Sequence, residues 1–361
     1  MTTFLPPEII SKIFEHAYYD AGTPDQKTLT VCSLVSVTWT EPAQRLLFRY
    51  VDLSFDHGRR NVSVESFILA TDPASEHGHR LGSYVRTLVV DIRPDEAAFK
   101  PHTATDFVQV VSHCPRLYEV VLRMLGVHDF DEKTMNELRC LTHRSRPISI
   151  RALSLLTCGV QSPILYQLLE VWPTVEFLRL GTEIAASPPS RPANFKLYEL
   201  TLFRTPAQEI LEWLLSASET SLEIVHFRDL PGPESNGMLA IHGPRLRSLR
   251  LMHYSLRAAA IIRYCPNLEE LILFQLSTYL ELAHLPASLE HLSFPNLTWP
   301  SFASLDSVVR AIDTLPRLRI VTCDPTAAIH PGYFSALQNK CQDRNIELLA
   351  NTLPFRTVRL S

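Results

Sequence analysis

A short segment of the form L-x-x-L-x-L returns again and again along this chain, and no other feature constrains the fold as much. Clear copies are LYEVVL (117–122), IRALSL (150–155), VEFLRL (175–180) and LYELTL (197–202). LEIVHF (222–227), LRSLRL (246–251), LEELIL (268–273) and LEHLSF (289–294) follow. VRTLVV (85–90), LRIVTC (318–323) and IELLAN (346–351) are weaker relatives. Their starting positions are 21 to 33 residues apart, mostly within the 20 to 29 residues of a strand-plus-helix repeat. A proline stands two positions before the first apolar residue at Pro115, Pro173, Pro244, Pro266 and Pro316, and three before it at Pro147 and Pro286. Proline in that place ends one helix and cannot occupy the middle of the strand that follows.

Between the copies lie ATDFVQVVSHC, SPILYQLLEVW, PAQEILEWLLSA, LRAAAIIRYC and LDSVVRAIDTL, each with apolar residues at helical spacing. Strand, turn and returning helix at each step build a solenoid with a parallel sheet on its inner face. Eleven copies with matched punctuation exceed what a leucine-rich composition yields by chance. The chain resembles leucine-rich-repeat proteins with irregular units. The asparagine or cysteine expected shortly after each strand is mostly missing, Cys158 being the nearest match. GTEIAASPPSRPAN and DLPGPESNGMLAIHGP read as loops that replace helices in two units.

Residues 4–53 do not follow the repeat. Pro6 and Pro7 open a helix whose apolar residues are Ile9, Ile10, Ile13, Phe14 and Ala17. A second helix fits TLTVCSLVSVTW, with Val31, Leu34, Val35 and Trp39 three or four apart. A third fits TEPAQRLLFRY with Pro42 in its first turn, and VDLS then reads as the first strand of the array. Leu5, Pro6, Glu8, Ile9, Ile10, Ile13, Phe14, Leu34, Val35 and Trp39, with the closing LLFRYVDL, resemble the F-box. The segment YYDAGTPDQKT between the first two helices is longer than in compact members.

The resemblance implies an F-box at 4–53 and an irregular leucine-rich-repeat array at 54–361, of about ten to eleven repeats, an α/β class with outer helices. It also implies a non-catalytic substrate receptor of a Skp–cullin–F-box ubiquitin ligase. The ten residues just named would dock on a Skp-family adaptor, and through it on a cullin–RING ligase, while the repeats hold a target protein. Elementary physics points the same way, because fifty residues cannot bury so many apolar side chains internally. A three-helix cap on the array is the plainer reading, and arrays do need caps. A scaffold acting outside ubiquitination, or an enzyme or its regulator, are the other readings.

Chemistry of the chain's own is scarce. No G-x-S-x-G, phosphate-binding glycine loop or dinucleotide fingerprint occurs, so no catalytic residue, cofactor or metal is expected. EHGHR (76–80) reads as a solvated loop rather than a metal site, and the aspartates of HDFDE (128–132) as caps. A net charge of −4 suggests no nucleic-acid partner, and no apolar run suits a membrane span. Seven cysteines without a C-x-x-C pair read as buried reduced thiols. With no secretory layout at the N-terminus, an intracellular place, cytoplasmic or nuclear, is expected.

One face of the sheet carries candidates for target binding. Side chains between the inward apolar positions form a column with Arg179, Thr201, His226 and Arg250, and another with Phe203, Arg228 and Phe274. Strands spaced about 4.8 Å apart bring Arg179, Arg228, Arg250 and His226 within roughly 15 Å, beside Phe203 and Phe274. Arginines with aromatic rings suit an acidic or phosphorylated peptide; the plain alternative is a solvated sheet face.

Overall fold

The fold buries the first, fourth and sixth positions of the repeated motif. Leu246, Leu249 and Leu251 are at most 1 % exposed, and Leu268, Leu271 and Leu273 are fully covered. The computed structural model describes residues 6–20, 23–54, 63–94, 103–143, 147–276, 280–282, 284–294, 305–323 and 331–350. The chain divides into two compact units, 1–175 and 176–361.

The first unit begins with helix α1 (Pro7–Ala17), the short antiparallel pair β1 (Tyr19–Asp20) and β2 (Thr23–Pro24), and helices α2 (Gln26–Ser33) and α3 (Val37–Leu47). It continues with β3 (Tyr50–Leu53), α4 (Val64–Ala70), α5 (Glu76–Tyr84), β4 (Thr87–Ile92) and α6 (Ala104–His113). β5 (Glu119–Met124), α7 (Glu132–Thr142), β6 (Ala152–Thr157) and α8 (Ile164–Val171) complete it. Strands β3 to β6 pair in parallel, each with the next.

The second unit holds β7 (Phe177–Leu180), β8 (Glu199–Leu202), α9 (Gln208–Leu215), β9 (Ile224–Phe227), α10 (Asn236–His242), β10 (Ser248–His253) and α11 (Leu256–Arg263). β11 (Glu270–Gln275), β12 (His291–Phe294), α12 (Asp306–Asp313), β13 (Ile320–Cys323), α13 (Pro331–Asp343) and β14 (Glu347–Ala350) follow. Strands β7 to β14 likewise pair in parallel in chain order. Parallel neighbours need a crossover connection, which is why strand and helix alternate so regularly. The result is an α/β architecture wound in solenoid fashion.

Local chemistry sets the helix starts. Asp25, Ser63, Ser75, Asp131 and Ser255 each cap a helix by accepting a backbone N–H three residues on, each cap contributing about 1 kcal/mol. Thr103 and Asp106 form a reciprocal capping box on α6. A second device clasps one repeat to the last. Thr174, Ser221 and Ser288 each directly precede a motif and donate a hydroxyl to the carbonyl of the preceding motif's first apolar residue. The acceptors are Ile150 (2.8 Å), Leu197 (2.7 Å) and Leu268 (2.8 Å). These hydroxyls satisfy carbonyls at the strand entrances, a place where the sequence carries no repeating asparagine.

Several expectations are corrected. EHGHR is not a loop but the start of α5, capped by Ser75. Gly82 is required there by close packing, because a Cβ would stand 2.1 Å from the His113 carbonyl oxygen on α6. DLPGPESNGMLAIHGP is helical over α10, between two single turns of 3₁₀ helix; GTEIAASPPSRPAN does lack regular structure. The second helix stops at Ser33, so Trp39 belongs to α3 and Pro42 lies inside that helix rather than in its first turn. Cys140 is exposed and Cys32 half-buried, while the other five thiols are buried. Burial pushes the Cys265 thiol up to about 12 and those of Cys158 and Cys341 up to about 11, so none of these three is a thiolate at neutral pH.

Candidate functional site

Two surfaces carry the candidate residues. On the first, α1 divides its apolar face between inside and outside. Ile10 and Phe14 are 2 % and 3 % exposed and join Tyr18, Leu29, Ala43 and Leu46 in a small core. Phe14 meets the half-buried Trp39 edge-on, ring centroids 5.4 Å apart. These residues hold the three helices together, so Ile10 and Phe14 are not the exposed apolar surface expected of them. Ile9 and Ile13, one step round the helix, are 45 % and 49 % exposed, and Pro6 and Glu8 are exposed too. Leu5 lies outside the described residues.

Helix α2 and the turn after it extend this pattern. Val31, Leu34 and Val35 are exposed, Leu34 by 81 %, and so is Val37 at the start of α3, by 90 %. Leu34 closes α2 with its N–H on the carbonyls of Val31 and Cys32, so the backbone is satisfied and only the side chain is left in solvent. Six of the ten large apolar side chains exposed among the described residues fall between positions 9 and 37. Elsewhere in this unit the described residues leave only Leu69 and Val160 exposed among the large apolar side chains, singly and far apart in sequence, so this concentration is local. Val31 and Val37 were not among the candidates; Val31 shares the helical spacing of Leu34, and Val37 follows the helix break that the sequence did not reveal.

The second surface lies on the sheet of the second unit. Register places Arg179, Thr201, His226, Arg250, Ile272, Ser293 and Thr322 in one row across β7 to β13. One position outward, just past β8, Phe203 receives two guanidiniums: Arg179 and Arg228 both stand 5.1 Å from its ring centre. His226 stacks on Phe274 at 5.3 Å with the planes 16° apart. Among the described residues neither Arg179 nor Arg228 pairs with a carboxylate, and both are exposed.

Arg250 behaves differently and corrects the expected cluster. Its side chain is 12 % exposed and sits between Glu199 (3.8 Å) and Glu270 (3.9 Å). Glu270 also accepts from the Ser248 hydroxyl and from His291 Nδ1 at 3.1 Å, and His291 Nε2 shares a hydrogen bond with the Thr322 hydroxyl at 2.7 Å. A carboxylate has no proton to give, so the Nδ1 of His291 carries the proton of that hydrogen bond. Burial pushes the Glu270 carboxyl up, but the His291 and Ser248 hydrogen bonds and the Arg250 charge outweigh it and hold it below the usual range. Glu199 goes the other way, because its burial and the Glu270 charge exceed what Arg250 and Arg179 return. Burial, then the Arg250 and Arg179 charges, lower His226 to about 4, so it is a neutral ring at pH 7. Arg250 and His226 are therefore structural members of a half-buried polar row, while Arg179 and Arg228 are exposed and make no ion pair among the described residues.

Among the described residues no group of three or more His, Cys, Asp or Glu side chains could hold a metal ion, and no helix is long and apolar enough to cross a membrane. His77 lies on α5 with its ring against Arg80. No protein-family model matches the chain, and no curated protein matches it. Among solved structures, a protein from Bacteroides fragilis is similar over 66 % of this chain and 67 % of its own, with 11 % identity and a TM-score of 0.35.

Proposed function

We propose that this chain is a non-catalytic F-box and leucine-rich-repeat adaptor that brings a target protein to a Skp–cullin–F-box ubiquitin ligase. The observation that carries this reading is the exposed apolar cluster on α1, α2 and the start of α3. A module with so small a core gains nothing by leaving Ile9, Ile13, Val31, Leu34, Val35 and Val37 in water unless another protein covers them. Apolar side chains of this kind anchor helix-to-helix interfaces. The F-box resemblance supplies the partner class, a Skp-family adaptor, and the parallel strand array supplies a broad face for a target. The docking set is then Pro6, Glu8, Ile9, Ile13, Leu34 and Val35, joined by Val31 and Val37. Ile10, Phe14 and Trp39 hold the helices that present them.

The test is capture of a purified Skp-family adaptor by the full chain. Ile13→Asp combined with Leu34→Asp is expected to reduce capture at least about a hundredfold while the thermal transition stays within a few degrees, since both side chains are exposed. Undiminished capture by this variant would contradict the proposal.

A further inference from the structure

The residue just before each strand, second in the motif, belongs to a row along the rim where the strands begin, and the two units charge this row differently. In the second unit the row carries both signs and neutralises itself. Arg247 pairs with Glu223 at 3.7 Å and with Glu269, and Arg319 lies 3.9 Å from Glu290. In the first unit the row reads Arg86, Tyr118 and Arg151, and the register Tyr50↔Thr87 makes Arg49 the equivalent residue of β3. None of these four is acidic. Two further arginines join them: Arg45, in the last turn of α3 and one helical turn before Arg49, and Arg116, in the turn that leads into β5. Backbone bonds draw the group together. The Arg49 carbonyl accepts from the Arg86 N–H at 3.0 Å, and Arg86 Nη1 donates to the Arg116 carbonyl at 2.7 Å. Burial, then the like charges of Arg116, Arg49 and Arg45, push the Arg86 guanidinium below its usual range, so these four cations act on one another. Carboxylates at the border are engaged. Glu15 meets Arg45 at 3.7 Å with both side chains exposed, a pair that water screens. Glu41 accepts from Tyr84 at 3.1 Å and Glu119 from Thr87 at 3.3 Å.

We propose that the strand-entrance rim of the first unit, centred on Arg45, Arg49, Arg86 and Arg116, binds an unphosphorylated acidic segment of a partner protein. Strands spaced about 4.8 Å apart set these cations out as separate points along the rim. That layout suits the single charges of successive Asp and Glu side chains better than one concentrated charge. Each carboxylate can take a guanidinium edge through two parallel hydrogen bonds, and binding relieves the repulsion within the cluster. Nucleic acid is the other polyanion that arginines attract. The chain's net charge of −4 repels a long polyanion, and the ring in the row, Tyr118, already carries the Arg151 guanidinium 5.9 Å from its centre instead of lying open to bases. The proposal stands apart from the adaptor reading, since it uses none of the apolar docking residues.

The test is fluorescence anisotropy of the full chain with three labelled probes: short peptides of mixed sequence rich in Asp and Glu, the same peptides with Asn and Gln in those places, and a mixed-sequence single-stranded RNA. The acidic peptides are expected to bind at least about tenfold more tightly than either other probe, and more weakly as salt rises. Arg45→Glu with Arg116→Glu is expected to weaken their binding at least about tenfold. Arg45→Lys with Arg116→Lys should stay within about threefold of the parent, because lysine keeps the charge and loses only the fork. Arg45 and Arg116 are exposed, so circular dichroism and thermal unfolding of these variants should match the parent. Should the double reversal unfold, Arg116→Glu alone carries the same test, with an expected loss of several-fold. Equal binding of the amide peptides, binding undiminished by charge reversal, or tighter binding of the RNA would overturn the proposal. If the parent binds no acidic peptide while the Skp-family adaptor is still captured, this inference fails alone and the adaptor reading stands.

Discussion

In the strand array of residues 176–361, Leu249 is fully buried between neighbouring repeats, whereas Leu34 at the end of α2 leaves 81 % of itself in water. The same residue type follows opposite rules in the two regions. In the array every apolar motif position meets the equivalent position of the next strand, so each repeat completes its neighbour's core. In the three-helix module only Ile10, Phe14, Tyr18, Leu29, Ala43 and Leu46 find partners inside, with Trp39, Cys32 and Leu47 half-covered beside them. The difference teaches that the array's motif positions complete one another's core, whereas the module leaves a cluster of its apolar side chains uncovered.

The largest effect expected from this contrast is on the array side. Leu249→Ala should destabilise the chain by about 2 to 5 kcal/mol, from lost burial and an unfilled cavity, read from chemical or thermal unfolding. A loss below about 1 kcal/mol would mean that the strand rows are far less tightly packed than described.

A second effect comes from the polar row. The folded state holds His226 neutral down to about pH 4, while the unfolded chain takes up that proton near the ordinary histidine value of about 6.5. Stability contributed at this position is therefore lost as pH falls from about 6.5 to about 4 and is constant below that. His226→Gln should flatten that decline by up to about 3 kcal/mol at pH 4 relative to the parent. Glu199 and Glu270 titrate in both proteins, so the difference between the two curves isolates His226. An unchanged slope would show that the ring is open to water and away from the Arg250 and Arg179 charges.

A smaller effect tests the clasps. Ser221→Ala should cost about 1 kcal/mol by leaving the Leu197 carbonyl without its hydroxyl donor, and no change would show that water takes the place of the hydroxyl. The smallest stability effect is expected at Leu34, where a polar replacement should stay within about 0.5 kcal/mol.

Much of this was legible in the sequence. The period-two alternation within L-x-x-L-x-L, and the proline before it, specify a strand without reference to anything distant, and the register rows follow from counting. Helices with a clear apolar stripe, such as α9 and α12, were legible for the same reason. What escaped had a tertiary cause. Gly78 and Gly82 look like loop residues until α5 is seen pressed against its neighbours, where a Cβ at either position would clash. α10 hides among Pro231, Gly232, Pro233 and Gly237. The hydroxyls of Thr174, Ser221 and Ser288 become a pattern only when their carbonyl partners are known.

The candidate sites divided along the same line. Spacing correctly grouped Arg179, Phe203 and Arg228, because row neighbours in a parallel sheet follow from the repeat. It could not say that Arg250 would be surrounded by Glu199 and Glu270, since burial depends on what lies across the face. Likewise the helical stripe Ile9, Ile10, Ile13, Phe14 gave no hint of which half would turn inward. That was decided by where α3 brings Trp39, Ala43 and Leu46.

The central claim is that the module's uncovered apolar residues are a docking surface for a Skp-family adaptor. Its most direct measurement is isothermal titration of the full chain with that purified adaptor, for the parent and for Ile13→Asp with Leu34→Asp. The account predicts saturable one-to-one binding with a negative heat-capacity change for the parent, and at least about a hundredfold weaker binding for the variant at unchanged fold. Absence of binding by the folded parent, or equal binding by the variant, would contradict it.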